Sequence, residues 1–123
     1  MTDDVYFFDS YAVIELIEGN PNFDRFLDCQ CMLTQLNVFE IYTSVLRDWG
    51  EEKANECIET YFEYIIPYGP RIIKEASKFR LLHKKRDMSM TDCIGYILAL
   101  RLGIKFLTGD KEFKDFKNVE FVK

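Results

Sequence analysis

Four acidic residues stand where predicted elements of this chain meet: Asp9, Glu40, Asp92 and Asp110. Asp9 directly follows a predicted strand, and Asp110 ends the Thr-Gly-Asp segment after another. Glu40 and Asp92 lie in the first turns of predicted helices. In an open α/β sheet, these junctions share the edge formed by the carboxyl ends of the strands, where ligands bind. Carboxylate oxygens are hard donors that suit Mg²⁺ or Mn²⁺, and such an ion can activate water and neutralise a phosphate. The four acids therefore predict a divalent metal site with hydrolytic chemistry.

Each acid taken alone has a simpler interpretation, because Asp is an ordinary cap at the start of a helix. The coincidence of four acids at equivalent junctions favours a shared site. Without a counter-ion, such a cluster would repel itself and raise the pKa of at least one member. A metal ion would remove that penalty.

Residues 90–110 show how two of these acids come together. An apolar stripe at helical spacing predicts a helix that Thr91 can cap, with Asp92 in its first turn. A buried strand is predicted at 104–107, and the segment Thr108-Gly109-Asp110 terminates it. A helix of about twelve residues runs about 18 Å, and the extended return covers about 20 Å. Asp92 and Asp110 are therefore expected at the same edge of the sheet.

Short strands and helices alternate along the rest of the chain. The patterns predict strands, or extended pieces, at 5–8, 31–36, 65–68, 104–107 and 119–122. Helices are predicted after Asp9, from an Asn37 cap to Trp49, and at 51–64, 70–86 and 90–102. This alternation predicts an α/β fold with a mostly parallel sheet that is covered by helices on both faces.

Composition limits the remaining classes. The 123 residues, 48% of them hydrophobic, predict a single domain over residues 1–123. The net charge of −5 argues against a general nucleic-acid coat protein, but allows an enzyme with a local basic patch. Four cysteines without C-x-x-C spacing and one histidine do not favour a structural zinc site. Asp3 and Asp4 are unlike the start of a signal peptide, and no apolar run approaches membrane-span length, so we expect a reducing cytoplasm and no membrane.

Four segments resemble the signature blocks of PIN-domain ribonucleases, in the same order and at similar spacing. They are FFDSYAVIELIEG, LNVFEIY, MSMTDCIGYILAL and FLTGDKEFKDF. The group most resembled is the VapC-type toxins of prokaryotic toxin–antitoxin pairs. The TGD-x-x-F segment is the most specific part, and the block around Glu40 is the least specific. The chain departs from the pattern at Cys93, Gly95 and Tyr96, where small residues such as alanine are commoner, and this indicates altered helix packing.

The resemblance implies a three-layer sandwich with a central five-stranded, mostly parallel sheet. It implies an endoribonuclease that hydrolyses RNA phosphodiester bonds with Mg²⁺ or Mn²⁺, neutralised by a protein antitoxin, and we expect a homodimer. The four acids would form the site, with Asp9, Asp92 and Asp110 on one or two metals. Glu40 would hold a second metal or orient the attacking water. Ser10, Thr91 and Thr108 would be the supporting hydroxyls.

Two surface features have both a plain and a functional interpretation. Lys84, Lys85 and Arg86 end a predicted helix, where cations favour the helix dipole, but they could also contact RNA phosphates. Residues 38–66 are rich in aromatic side chains, which could fill the core or form a groove for a protein partner.

Two other functions compete with the toxin. A PIN-domain nuclease for RNA processing would keep the same fold and site. A phosphoacceptor receiver domain has a similar length, but needs an Asp at the end of a strand near the middle of the chain. Residues 50–60, GEEKANECIET, look helical and offer none.

Overall fold

The computed structural model describes residues 4–123; residues 1–3, and with them the Asp3 cited above, lie outside the described part. The α-helices in these residues are α1 (Ser10–Glu18), α2 (Gln35–Trp49), α3 (Glu51–Tyr61), α4 (Pro70–Leu82) and α5 (Met90–Leu102). The strands are β1 (Val5–Phe8), β2 (Gln30–Met32), β3 (Lys105–Thr108) and β4 (Val119–Phe121). Three 3₁₀ turns complete the order: Pro21–Phe26, Phe62–Tyr64 and Lys111–Phe113.

The sheet is entirely parallel, in the order β2-β1-β3-β4. Within residues 4–123 it has four strands, where five were expected. The segment expected to supply the fifth, 65–68, contributes one parallel bridge between Ile65 and Leu33. Pro67 has no backbone N–H to donate, which stops the pairing from extending. Because β1 pairs with β2 on one side and with β3 on the other, it is an interior strand, and Asp9 follows it directly.

Helices cover both faces of the sheet, which confirms the predicted α/β architecture. α5 packs on β1 and β3, where a Cβ atom built on Gly95 would lie only 2.6 Å from Cε1 of Phe7. On the opposite face, Phe8 lines a cavity of about 440 Å³ together with Leu16 of α1 and with Phe26. The absence of a side chain at Gly95 thus lets α5 approach the sheet closely.

Two predicted helix caps were wrong. Thr34, and not Asn37, caps α2: its hydroxyl accepts the Asn37 backbone N–H at 3.4 Å, and the Asn37 side chain accepts the Thr34 backbone N–H at 3.0 Å. This capping box ends β2 at Met32, before the predicted limit. Ser89, and not Thr91, caps α5 by accepting the backbone N–H of Asp92 at 3.0 Å.

α4 ends at Leu82, four residues before the predicted end. The chain then turns through 83–87, so Arg86 lies outside the helix. Among the described helices, none combines the length and apolar character needed to cross a bilayer.

Candidate active site

All four predicted acids line one cavity of about 450 Å³ at the edge where β1 and β3 end. Asp9 follows β1 and Asp110 lies two residues beyond β3, while α2 and α5 carry Glu40 and Asp92. The full lining is Asp9, Ser10, Tyr11, Glu40, Ser89, Asp92, Gly109, Asp110 and Lys123. The fold thus brings together acids that are up to 101 positions apart in the sequence, Asp9 and Asp110.

Asp9 is the most buried of the four, with 2% of its surface exposed. One carboxylate oxygen accepts the backbone N–H of Ala12 at 2.7 Å and caps α1, and the other accepts the hydroxyl of Thr108. Burial raises the pKa of Asp9 to about 8, and the charges of Asp92 and Asp110 add to this rise against the two hydrogen bonds. In the absence of a metal ion, the fold therefore disfavours the ionised form of Asp9.

Asp92 and Asp110 are half-buried in the same cavity. Burial raises the pKa of Asp92 to about 6, with further contributions from the charges of Glu40 and Asp110. Asp110 caps the turn after it by accepting the backbone N–H of Glu112 at 2.9 Å. Its own backbone N–H donates to the Thr108 hydroxyl at 3.0 Å, so Thr108 joins Asp9 to Asp110.

Glu40 is held by a hydroxyl. Ser10 Oγ donates to Glu40 Oε1 at 2.6 Å and accepts Nδ2–H of Asn37 at 3.0 Å. Of the three predicted supporting hydroxyls, Ser10 and Thr108 contact the acids. Thr91 is buried in the first turn of α5 and does not line the cavity.

The donor set fits a hard divalent cation in its chemistry. It consists of carboxylate oxygens, which are the ligands that such a cation prefers. Burial, with a further contribution from neighbouring acids, raises the pKa of Asp9 and that of Asp92. None of the four acids pairs with a lysine or arginine at salt-bridge distance within residues 4–123. The same residues contain no group of three or more His, Cys, Asp or Glu side chains placed closely enough to hold a metal ion. The acids share a cavity, but they are not yet spaced as a coordination sphere.

Arg86 differs from its two neighbouring lysines. Its guanidinium pairs with Asp115 at 3.0 and 3.2 Å, donates to the carbonyl of Glu112 at 2.6 Å and lies 4.4 Å from the centre of the Phe116 ring. These contacts tie the turn before α5 to the segment after Asp110. Lys84 and Lys85 are exposed.

Sequence reasoning missed two residues at this edge. Ser89 lines the cavity and caps α5, and its signal was the spacing Ser89-x-x-Asp92, a cap pattern one turn long. Asn37 was predicted to be a cap, but its contact with Ser10 joins two residues that are 27 positions apart, which no local pattern reveals.

Comparison with curated proteins gave no match. Comparison with solved structures gave several matches to toxins, all at low identity. A toxin–antitoxin complex from Klebsiella pneumoniae is 18% identical, with a TM-score of 0.74, over 94% of this chain and 95% of that one. VapC20 of Mycobacterium tuberculosis, described as a sarcin–ricin loop cleaving toxin, is 17% identical, with a TM-score of 0.76, over 96% and 99%. VapBC-1 of nontypeable Haemophilus influenzae is 20% identical, with a TM-score of 0.70, over 95% and 96%.

At these identities the likeness establishes a shared fold. The family comparison goes further, because the PIN domain matches residues 6–119, a span that contains all four acids. The chain belongs to the PIN domain family.

Proposed function

We propose that this protein is a Mg²⁺- or Mn²⁺-dependent endoribonuclease and the toxin of a toxin–antitoxin pair. The observation that carries the proposal is the cavity lined by Asp9, Glu40, Asp92 and Asp110, whose charges have no cationic partner at salt-bridge distance within residues 4–123. Membership of the PIN family and the fold shared with VapC toxins support the choice of RNA as substrate.

In this proposal, Asp9, Asp92 and Asp110 hold one or two cations, and Glu40 either binds a second cation or orients the attacking water. When bound there, a cation would supply positive charge that favours the hydrolysis of an anionic phosphodiester. The chain itself keeps the oxygens in place. Thr108 fixes Asp9, Ser10 fixes Glu40, and the Ser89 cap fixes the turn of α5 that carries Asp92.

A protein partner is expected on the groove between α2 and α3. This apolar groove has a volume of about 340 Å³ and is lined by Gln35, Val38, Phe39, Tyr42, Thr43, Ile58, Phe62 and Ile65. Phe39 and Phe62 are 72% and 55% exposed, so part of the aromatic content of residues 38–66 is not used in the core. The structures that share the fold include complexes of toxin with antitoxin, which makes an antitoxin the occupant we propose.

The expected homodimer has a separate surface. Ile73, Leu81 and Met90 are exposed and line a cavity of about 450 Å³ between α4 and α5. We propose that a second copy of the chain covers it, and sedimentation of the purified protein tests this. The four free thiols among the described residues suit the reducing cytoplasm that we propose as its location.

Asp92→Asn tests the nuclease directly. The Ser89 cap uses the backbone of residue 92, so the variant should keep its fold while RNA cleavage is lost. Asp87→Asn, the same change at a nearby exposed acid, is the matched control and should cleave normally. An Asp92→Asn protein that cleaves RNA like the wild type would contradict the proposal.

Expression in cells separates the toxin from an RNA-processing nuclease. A toxin arrests growth, and co-expression of the product of a neighbouring reading frame relieves the arrest. Cleavage of one defined RNA without growth arrest would favour the processing enzyme. The receiver alternative is excluded by the family match, and residues 51–61 form the helix α3 instead of ending a strand in a phosphoacceptor Asp.

A further inference from the structure

Asn37 is a buried amide one turn before Glu40, with 1% of its surface exposed. Its Oδ1 accepts the backbone N–H of Thr34 at 3.0 Å and the Thr34 hydroxyl at 2.9 Å. Its Nδ2 donates to Ser10 Oγ at 3.0 Å, and Ser10 donates to Glu40 at 2.6 Å. The capping box requires only the Oδ1 contacts, so the Ser10 contact needs a separate explanation.

The direction of these hydrogen bonds is fixed by the backbone. The Thr34 N–H can only donate, so the atom of Asn37 that faces it must be the carbonyl oxygen. The amide group NH₂ therefore faces Ser10, whose oxygen must accept. Because Ser10 accepts from Asn37, its single proton is left to donate to Glu40. A one-way chain of hydrogen bonds thus runs from the start of α2 to a carboxylate of the cavity.

We propose that Asn37 is a positioning residue that holds Glu40 for catalysis by fixing the direction of the Ser10 hydroxyl. The inference rests on the proposed nuclease function, in which Glu40 acts on water or a cation. Asn37 touches neither substrate nor Glu40 itself, and acts through Ser10. A buried polar network of this kind is rigid only while every member is satisfied.

Asn37→Asp tests the chain of hydrogen bonds with little change of shape. The introduced carboxylate would still accept from Thr34 and preserve the cap, but it would also accept from Ser10 and draw that proton away from Glu40. We expect kcat for RNA to fall about tenfold or more while KM stays within about twofold, because geometry is lost and RNA contacts are kept. Asn55→Asp, on the exposed surface of α3, adds the same charge and should leave both constants unchanged.

Thr34→Ala makes the opposite change. It removes the capping hydroxyl but leaves the Thr34 backbone N–H to orient Asn37, so Tm should fall while kcat stays within about twofold of wild type. Ser10→Ala provides the second test. If Asn37 acts through Ser10, then Asn37→Asp should reduce kcat no further in the Ser10→Ala background. A charge effect on the acids would persist there, and additive losses would overturn the proposal.

The metal-free protein gives a readout that does not depend on activity. In NMR spectra recorded in EDTA, the Asn37 side-chain amide protons should exchange slowly with water. Their resonances should move in both Ser10→Ala and Glu40→Gln, because the chain links all three residues. Fast exchange, or resonances that stay in place in Ser10→Ala, would overturn the inference. If the wild type cleaves no RNA but the amide responds as expected, the proposed function fails and the hydrogen-bond chain stands.

Discussion

Asp9 combines a structural role, the cap of α1, with the chemical role that we propose for it. Its carboxylate accepts hydrogen bonds from the backbone N–H of Ala12, which caps α1, and from the Thr108 hydroxyl. Burial raises its pKa, and the charges of Asp92 and Asp110 raise it further. Asn at this position can still accept from Ala12, so the cap survives the loss of the charge. The residue can therefore be changed to separate fold from function.

The raised pKa of Asp9 predicts how the stability of the metal-free protein depends on pH. The folded state binds the Asp9 proton up to about pH 8, whereas an unfolded Asp releases it near 3.8. The folded state therefore holds more protons between these values, and its stability falls as pH rises. One pKa unit corresponds to about 1.4 kcal/mol. Between pH 5 and pH 8, the free energy of unfolding of Asp9→Asn should therefore rise by more than about 1 kcal/mol relative to that of the wild type.

Denaturant unfolding in EDTA at both pH values measures this gain. Asp92 also titrates in the range, with a pKa of about 6, and its charge contributes to the raised pKa of Asp9. The difference between the two proteins therefore reports Asp9 together with its coupling to Asp92. Wild type and Asp9→Asn with parallel pH dependences would show that Asp9 is ionised without penalty.

At the scale of elements, α5 lies against the sheet because residue 95 is glycine. A Cβ there would lie 2.6 Å from Cε1 of Phe7 and 3.1 Å from Cε1 of Phe106. Gly95→Ala should therefore destabilise the fold by about 1–3 kcal/mol, although alanine is the better helix former. Gly69→Ala, where a Cβ meets nothing within 4 Å and φ is −118°, is the control. It should cost less, below about 1 kcal/mol, which is the preference of a helix N-cap for glycine over alanine. A Gly95→Ala protein as stable as wild type would show that α5 can move away from the sheet freely.

The turn after α4 is where we expect RNA contacts. Lys84 and Lys85 are exposed, so replacing both with alanine should weaken RNA binding several-fold and flatten its dependence on salt, with kcat unchanged. Binding to the inactive Asp9→Asn protein at several salt concentrations measures the effect. Replacing Lys53 and Lys117, two lysines outside this turn, removes the same charge. Equal losses in both double variants would indicate a general charge effect.

The elements show what could be read from sequence. β1 and the C-terminal limit of α5 at Gly103 matched the prediction, because an apolar run closed by an acid and a helix closed by glycine are local signals. The start of α2 did not, because the apolar run around Leu33 continues into the first helical turn and hides the cap at Thr34. The fifth strand was overestimated because pairing depends on a distant neighbour, Leu33, and on the missing N–H of Pro67.

The candidate site was predictable at its acids and less so around them. The four carboxylates at strand and helix junctions can be identified from the sequence, because the topology of a parallel sheet places these junctions at one edge. The contacts of Arg86 with Asp115 and of Asn37 with Ser10 could not be predicted. Each joins two residues at least 27 positions apart through side-chain geometry alone.

At the scale of the whole molecule, the groove between α2 and α3 lies beside the acidic cavity. Phe39 lines the groove and also borders a cleft with Ser10 and Glu40. Phe62 lines the groove but not the cleft. Phe62→Lys should therefore weaken binding of the neighbouring reading frame's product at least about tenfold, while RNA cleavage continues. Leu102→Lys, at a similarly exposed apolar position at the end of α5, should bind the product normally. Normal binding by Phe62→Lys would place the partner elsewhere.

The central claim is that the four acids form a divalent cation site. The most direct measurement is the change in Tm that millimolar Mn²⁺ causes in wild type and in Asp9→Asn, after both proteins have been stripped with EDTA. A cation that binds only the folded state raises Tm, so wild type should gain at least about 5 °C. Asp9→Asn, which lacks one ligand, should gain less than half of that. A wild type whose Tm does not respond to Mn²⁺, or two proteins that respond equally, would contradict the claim.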